Sequence, residues 1–98
     1  MRYVLAVIRS FRHKGLRDLF ERGKTARIDA RLRARVLARL DALDQAARPE
    51  DMDVPGWDFH RLQGFNRARY AVHVNGPWCI TFEFEGENAC HVDFEQYH

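Results

Sequence analysis

The hydrophobic pattern of this 98-residue chain changes period once, at Arg48-Pro49. From His13 to that point apolar residues recur every three or four positions, and after it they alternate. A switch of this kind places helices first and consecutive short strands second, which points to an α+β domain rather than alternating βαβ units.

The individual elements follow from the same pattern. Tyr3 to Ile8 is apolar and β-branched without a helical period, so a first strand is expected to end near Ser10. Leu16, Leu19 and Phe20 make one stripe of a short helix from His13 to Arg22, with Gly23 as its left-handed cap. Asp29 is the expected N-cap of a longer helix reaching about Ala47, whose inner face is Leu32, Val36, Leu40 and Leu43. Pro49 to Gly56, rich in proline and acid, reads as an irregular connector. Trp57 to Leu62 is a candidate short strand. Tyr70, Val72 and Val74 alternate with Ala71 and His73, Asn75-Gly76 marks a tight turn, and Trp78 to Phe84 and Ala89 to Phe94 follow as strands around a turn near Gly86. The expected order is βααβββ, an antiparallel sheet with two N-terminal helices packed on one face.

Register adds a finer expectation. A three-residue loop at Glu85 to Glu87 sets Phe82 opposite Cys90, Ile80 opposite Val92 and Trp78 opposite Phe94. Cys79 then shares the outer face with Thr81, Glu83, His91 and Asp93, while Cys90 belongs to the core. The two thiols point apart, and no disulfide is expected.

Size and composition close off several classes. A chain of this length forms one domain, residues 1–98, and 46% hydrophobic with 31% charged residues is an ordinary globular balance. No stretch has the length of a membrane helix, and Tyr3 to Ile8 is too short for a signal peptide, so a cytoplasmic protein without membrane contact is expected. Two cysteines without CxxC spacing suggest no zinc finger, and no histidine pair has metalloenzyme spacing. No metal or cofactor is expected.

The net charge of +2 conceals a division. Residues 9–39 carry eleven Lys or Arg against three acids, and residues 40–98 carry four against eleven. A basic half on so small a domain is suited to a polyanion, nucleic acid first. Arg27, Arg31, Arg35 and Arg39 recur every four residues on a helix flank, where like charges repel unless an anion offsets them. Solvated positions whose arginine stems cover the core edge are the alternative.

Most of the histidines read as surface residues, but His60 and His98 stand outside any packing period. Tyr97-His98 places a phenol, an imidazole and the chain's carboxylate together. If the tail folds over the polar face of the sheet toward His60, two imidazoles and a cation are a set that can cleave RNA. One group takes the proton of the ribose 2′-hydroxyl, another protonates the leaving 5′-oxygen, and an arginine steadies the phosphate. Arg61, Arg67 and Arg69 are the nearest cations in sequence. A frayed, functionless tail is the competing reading.

Four segments, Ile8-Arg9-Ser10-Phe11-Arg12-His13-Lys14-Gly15-Leu16, His60-Arg61-Leu62-Gln63-Gly64, Trp78 to Phe84 (WCITFEF) and Tyr97-His98, resemble the HigB toxins of bacterial toxin–antitoxin modules, within the RelE/ParE superfamily. The resemblance runs from about Val7 to His98. It implies a small α+β toxin that enters the ribosomal A site and cuts messenger RNA, with His60, Tyr97 and His98 at the catalytic positions. Arg12, Lys14, Arg27, Arg31, Arg35 and Arg39 would hold ribosomal RNA. A HigA-type helix-turn-helix antitoxin is the implied partner.

Three positions depart from the family's pattern. The segment usually written HPLKG has Gln63 in place of its lysine, WRITF has Cys79 in place of its phosphate-binding arginine, and the acidic residue before the terminal Tyr-His is Gln96. Losing two cations from a site of developing negative charge weakens transition-state stabilisation, each cation being worth roughly 3 kcal/mol. Arg61, Arg67 and Arg69 are the candidates to replace them. Three readings result: an mRNA endonuclease, a relative that has lost cleavage and acts by occupying the ribosome or binding its antitoxin, and a gyrase inhibitor, which the terminal Tyr-His disfavours. The family's usual initial methionine aligns with Val7, so residues 1–6 are expected to be an upstream extension from gene-start assignment.

Overall fold

The computed structural model describes residues 8–97. Two helices precede a four-stranded antiparallel sheet: α1 (Lys14–Arg22), α2 (Arg33–Gln45), β1 (His60–Arg61), β2 (Tyr70–Asn75), β3 (Trp78–Glu85) and β4 (Asn88–Gln96), with the strands in chain order across the sheet. The expected α+β arrangement is therefore what the chain adopts. Of the expected first strand, residues 3–7 lie outside the described residues. Ile8 and Phe11 form isolated parallel bridges to Ala89 and Val92, so this segment lines the free edge of β4 in the parallel sense.

Local chemistry sets the helix ends. His13 caps α1, its Nδ1 accepting from the backbone N–H of Leu16 at 3.3 Å. Gly23 ends the helix at φ 76, a conformation that costs a residue without Cβ little, and its N–H donates to the Leu19 carbonyl. The second helix is shorter than expected. Asp29 closes on Arg31, accepting from its backbone N–H and from its guanidinium, and this tight turn makes Ala30–Leu32 a 3-10 segment before α2 begins. Consequently Arg27 and Arg31 stand outside α2, and the like-charge ladder along it reduces to Arg35 and Arg39. The acidic connector also has order, since Pro49–Met52 is a 3-10 turn in which Asp51 accepts from the N–H groups of Ala47 and Arg48.

The helices bury Leu16, Leu19, Leu32, Val36, Leu40 and Leu43 against Val72, Val74, Ile80, Phe82, Val92 and Phe94 on one face of the sheet. Each such side chain contributes roughly 1.5–3 kcal/mol by leaving water, and together they hold the helices to one side. Trp78 stacks on Phe94 with ring centroids 4.6 Å apart, extending the core toward the tail.

The β3–β4 register differs from expectation. The turn is two residues, Gly86-Glu87, closed by the Glu85↔Asn88 pair, so Glu83 faces Cys90 and Phe84 faces Ala89. Farther along, Thr81 faces Asp93, Ile80 faces Phe94 and Cys79 faces Glu95, which leaves both His91 and Val92 opposite Phe82. His91, at φ 50, forms this β-bulge. Cys90 accordingly belongs to the outer face with Cys79, not to the core. Both thiols are free. Their partner positions on β3 are four residues apart, roughly 13 Å along the strand, which a disulfide cannot span.

Candidate active site

Alternation gives the sheet an outer face that the helices do not cover. Successive cross-strand pairs carry His60, Ala71, Thr81 and Asp93 in one row, and His73, Cys79 and Glu95 in the next. In the first row the two central strands contribute the small side chains of Ala71 and Thr81, with His60 and Asp93 rising from β1 and β4 at the sides.

Arg69, 2% exposed, organises this face from the start of β2. Its Nη1 donates to Glu83 Oε2 at 2.6 Å, its Nη2 to Thr81 Oγ1 at 2.8 Å, and both nitrogens reach the His91 carbonyl at 3.3 Å. Thr81 passes the contact on, donating from its hydroxyl to Glu95 Oε2. Glu83 collects further partners: His91 Nδ1 at 3.2 Å, Arg67 Nε at 3.5 Å and Arg12 Nη2 at 3.7 Å. Burial by itself would push the Glu83 carboxyl up, but the hydrogen bonds from Arg69 and His91 and their charges outweigh it and hold the group below the usual carboxylate range.

His60 lies on the short edge strand β1, exposed, with its Nδ1 2.8 Å from the Asp58 carbonyl. A carbonyl oxygen can only accept, so Nδ1 carries the hydrogen and the neutral ring presents an unprotonated Nε2. Asp58 aims that carbonyl from φ 48, a left-handed conformation that Asp tolerates better than most residues. Arg61 and Gln63 beside His60 are exposed, and Gly64 turns the chain at φ 86 into the loop that leads to Arg69.

The tail is tied to the sheet by the Tyr97 N–H, which donates to the Pro77 carbonyl at 2.7 Å. Burial first, then the Glu95 carboxylate, raises the Tyr97 phenol above its usual value, while Arg69 acts in the opposite direction. The phenol is therefore neutral at physiological pH. Gln96, by contrast, pairs with Trp78 on the helix side. His98 lies outside the described residues.

Residues 9–98 match the HigB-like toxins, RelE-like toxins of type II toxin–antitoxin systems. The chain is also 35% identical over 92 residues to the endoribonuclease HigB of Proteus vulgaris, across 94% of this chain and all of that protein. This chain belongs to the HigB-like toxin family.

Membership of a type II toxin–antitoxin family implies an antitoxin as partner. Among the described residues no helix is long and apolar enough to cross a membrane.

At the three positions where the toxin departs from the pattern described above, the surroundings differ. Gln63 is exposed beside the Gly64 turn. Cys79 is buried on the outer face, and burial, then the Asp58 and Glu95 carboxylates, raise its thiol. Gln96 is exposed and pairs with Trp78, on the opposite side of the strand from Glu95. The nearest carboxylate on the outer face is Glu95, one residue earlier.

The cations divide into two groups. Arg69 is committed to the interior, and Arg67, its side chain 55% exposed, shares Glu83 and Glu85 at 3.5 Å. Arg12 and Lys14 are exposed beside the start of α1. On the helix side Arg27, Arg31 and Arg35 are exposed; Arg31 is bound to Asp29 at 2.8 Å, which holds that carboxyl at about 2, and Arg31 and Arg35 border a groove of about 390 Å³ with Asn75 and Trp78. Arg39 turns inward. It is 8% exposed, donates to the His73 and Arg35 carbonyls at 2.7 and 2.9 Å, and lies 4.6 Å from the Trp57 ring centroid.

Ligand atoms of Glu83, Cys90 and His91 lie within 4.8 Å of one another. A metal ion there would compete with Arg69, Arg67 and Arg12 for the same carboxylate and meet their repulsion, so the surroundings do not favour one.

Asp58, Thr81, Glu83 and Glu95 join this site although none of them was singled out as a site residue from sequence. Alternation along β3 already placed Thr81 and Glu83 on the outer face, and two carboxylates in an aromatic strand were the available signal. The role of the Asp58 carbonyl depends on its backbone angle and leaves no trace in residue type.

Proposed function

We propose that this toxin is an endoribonuclease that cuts messenger RNA on the ribosome in the cytoplasm and is neutralised by a HigA-type helix-turn-helix antitoxin. The observation that carries the reading is the His60–Asp58 hydrogen bond, which fixes an exposed imidazole with Nε2 free to take a proton. In the proposed reaction Nε2 accepts the proton of a ribose 2′-hydroxyl, whose oxygen attacks the adjacent phosphorus. The 5′-oxygen leaves with a proton supplied from the tail, where His98 follows Tyr97, and a 2′,3′-cyclic phosphate remains. The neutral Tyr97 phenol donates a hydrogen bond to the phosphate or to the base beside it.

β1 and β4 are three interstrand steps, roughly 14 Å, apart. His60 and Tyr97 therefore act on a nucleotide lying between them rather than on each other. Arg61 and Arg67 supply exposed positive charge beside this path, and Arg69 acts through Glu83 and Thr81, keeping the outer face in register. Arg12, Lys14, Arg27, Arg31 and Arg35 meet ribosomal RNA, where exposed cations gain affinity by displacing counterions.

The test is brief induction of the toxin in cells followed by mapping of RNA 5′ ends, with His60→Ala and a chain lacking His98 in parallel. New ends inside translated codons that disappear in both variants are expected. Growth arrest without new ends would overturn cleavage in favour of ribosome occupation, and DNA damage in its place would point to gyrase.

A further inference from the structure

We propose that Phe65 is a stacking platform for an unpaired base of the RNA, next to the nucleotide that is cut. The proposal rests on the endoribonuclease reading and adds to it a residue that recognises the substrate.

Phe65 is 44% exposed, and a single exposed aromatic ring by itself is ordinary. Its setting is more specific. The ring lies 5.9 Å from the Arg69 guanidinium carbon, so one face is held by a buried cation that Glu83 and Thr81 fix in place. The loop is closed by the Leu62 N–H donating to the Arg69 carbonyl at 2.8 Å, and Gly64 turns it at φ 86. Phe65 is thus held at the outer face of the sheet, the face that carries His60 and Tyr97, with its other side open to solvent.

The neighbours suit a nucleotide. Asn66, also exposed, offers an amide that both donates and accepts at a base edge. Arg67 holds its carboxylate partners only at 3.5 Å and is half in solvent, so it can re-pair with a phosphate. Aromatic ring, amide and cation in consecutive exposed positions match the three parts of a nucleotide. Unpaired bases are read by stacking on such rings, and the cation beneath Phe65 stiffens the platform.

Phe65→Ala, Phe65→Leu and Phe65→Trp, each in the full-length toxin, are compared for binding to a fluorescein-labelled single-stranded RNA oligonucleotide. The same RNA with one abasic site is the control, and ribosomal cleavage is read by primer extension. Alanine and leucine are expected to weaken RNA binding by roughly five- to a hundredfold and to reduce cleavage at low RNA concentration, and tryptophan to retain both. The abasic RNA is expected to lose the difference between wild type and Phe65→Leu. Leucine covers Arg69 as an apolar side chain and keeps the fold even if alanine does not. Wild-type binding by Phe65→Leu would mean that the ring only shields the arginine, and the proposal fails. If the wild-type toxin cleaves RNA while all three variants bind normally, stacking alone is overturned; if the wild type neither binds nor cleaves, the endoribonuclease reading falls with it.

Discussion

Arg69 and Glu83 meet at 2.6 Å on the outer face of the sheet with side chains only 2% and 6% exposed, one from the start of β2 and the other from β3. The pair sets the division of labour among the toxin's cations. A guanidinium committed to an internal carboxylate, a threonine hydroxyl and a backbone carbonyl cannot also swing out to a phosphate, so under the proposed function the cations that meet RNA are the exposed arginines around it.

Removing one partner of such a pair leaves the other charge buried and poorly matched. Glu83→Gln is expected to destabilise the toxin by about 3 kcal/mol, read by urea unfolding at neutral pH. The Glu83 carboxyl is held below its ordinary 4.5, so the stability it supplies is present above that pH and is lost as the pH falls through its folded value. The wild type should therefore lose stability below pH 4.5 more steeply than Glu83→Gln. Parallel acid-unfolding curves for the two proteins would contradict this.

Arg35 and Arg39 are one helical turn apart and are expected to respond oppositely to truncation. Arg39→Ala removes the hydrogen bond to the His73 carbonyl and the cation over Trp57, and should cost about 2 kcal/mol of stability. Arg35→Ala should leave the melting temperature unchanged and weaken ribosome binding in a salt-dependent way. Sedimentation with ribosomes at two salt concentrations, beside thermal melts, separates the effects.

Tyr97 should contribute as a hydrogen-bond donor and not as a base. Its phenol is raised above the usual value of 10, so it stays protonated across the range in which the toxin acts. Tyr97→Phe is expected to lower the cleavage rate by roughly a hundredfold while leaving the shape of the pH–rate profile between 5 and 8.5 unchanged. A lost or displaced limb of that profile would assign the tyrosine a titrating role.

Cys79 faces Glu95 across β3 and β4 and lies close enough to Asp58 to be raised by its charge. An arginine at this position would find two carboxylates to hold it and would place a cation on the outer face. Cys79→Arg is accordingly expected to raise cleavage by roughly tenfold, measured by primer extension on translated RNA. An unchanged rate would show that cations already present suffice.

What the sequence disclosed follows from periodicity. Three- and four-residue spacing gave Leu16, Leu19, Val36, Leu40 and Leu43 as helix interior, and strict alternation placed Cys79, Thr81 and Glu83 together on the outer face. Turn length was less legible. A three-residue loop at Glu85 to Glu87 is what the alternation favours, because it keeps the apolar residues on one face; the chain instead makes a two-residue turn and restores that face with the bulge at His91, which moves Cys90 from the core to the outer face. Arg35 and Arg39 are the same residue type on one flank, so only packing against Trp57 distinguishes the buried one. The orientation of the His60 imidazole follows from the Asp58 backbone, which residue identity does not encode.

The extra residue at His91 has a lasting effect on everything C-terminal to it. Side chains change sides at each step of a strand, so the bulge assigns Glu95 and Tyr97 to the surface opposite the helices. Pairing the strand without the bulge, with every residue retained, would set Ile80 against Asp93, swing both inward and push Phe94 into water. Which surface the end of this toxin presents is thus set by one unpaired residue in its last strand.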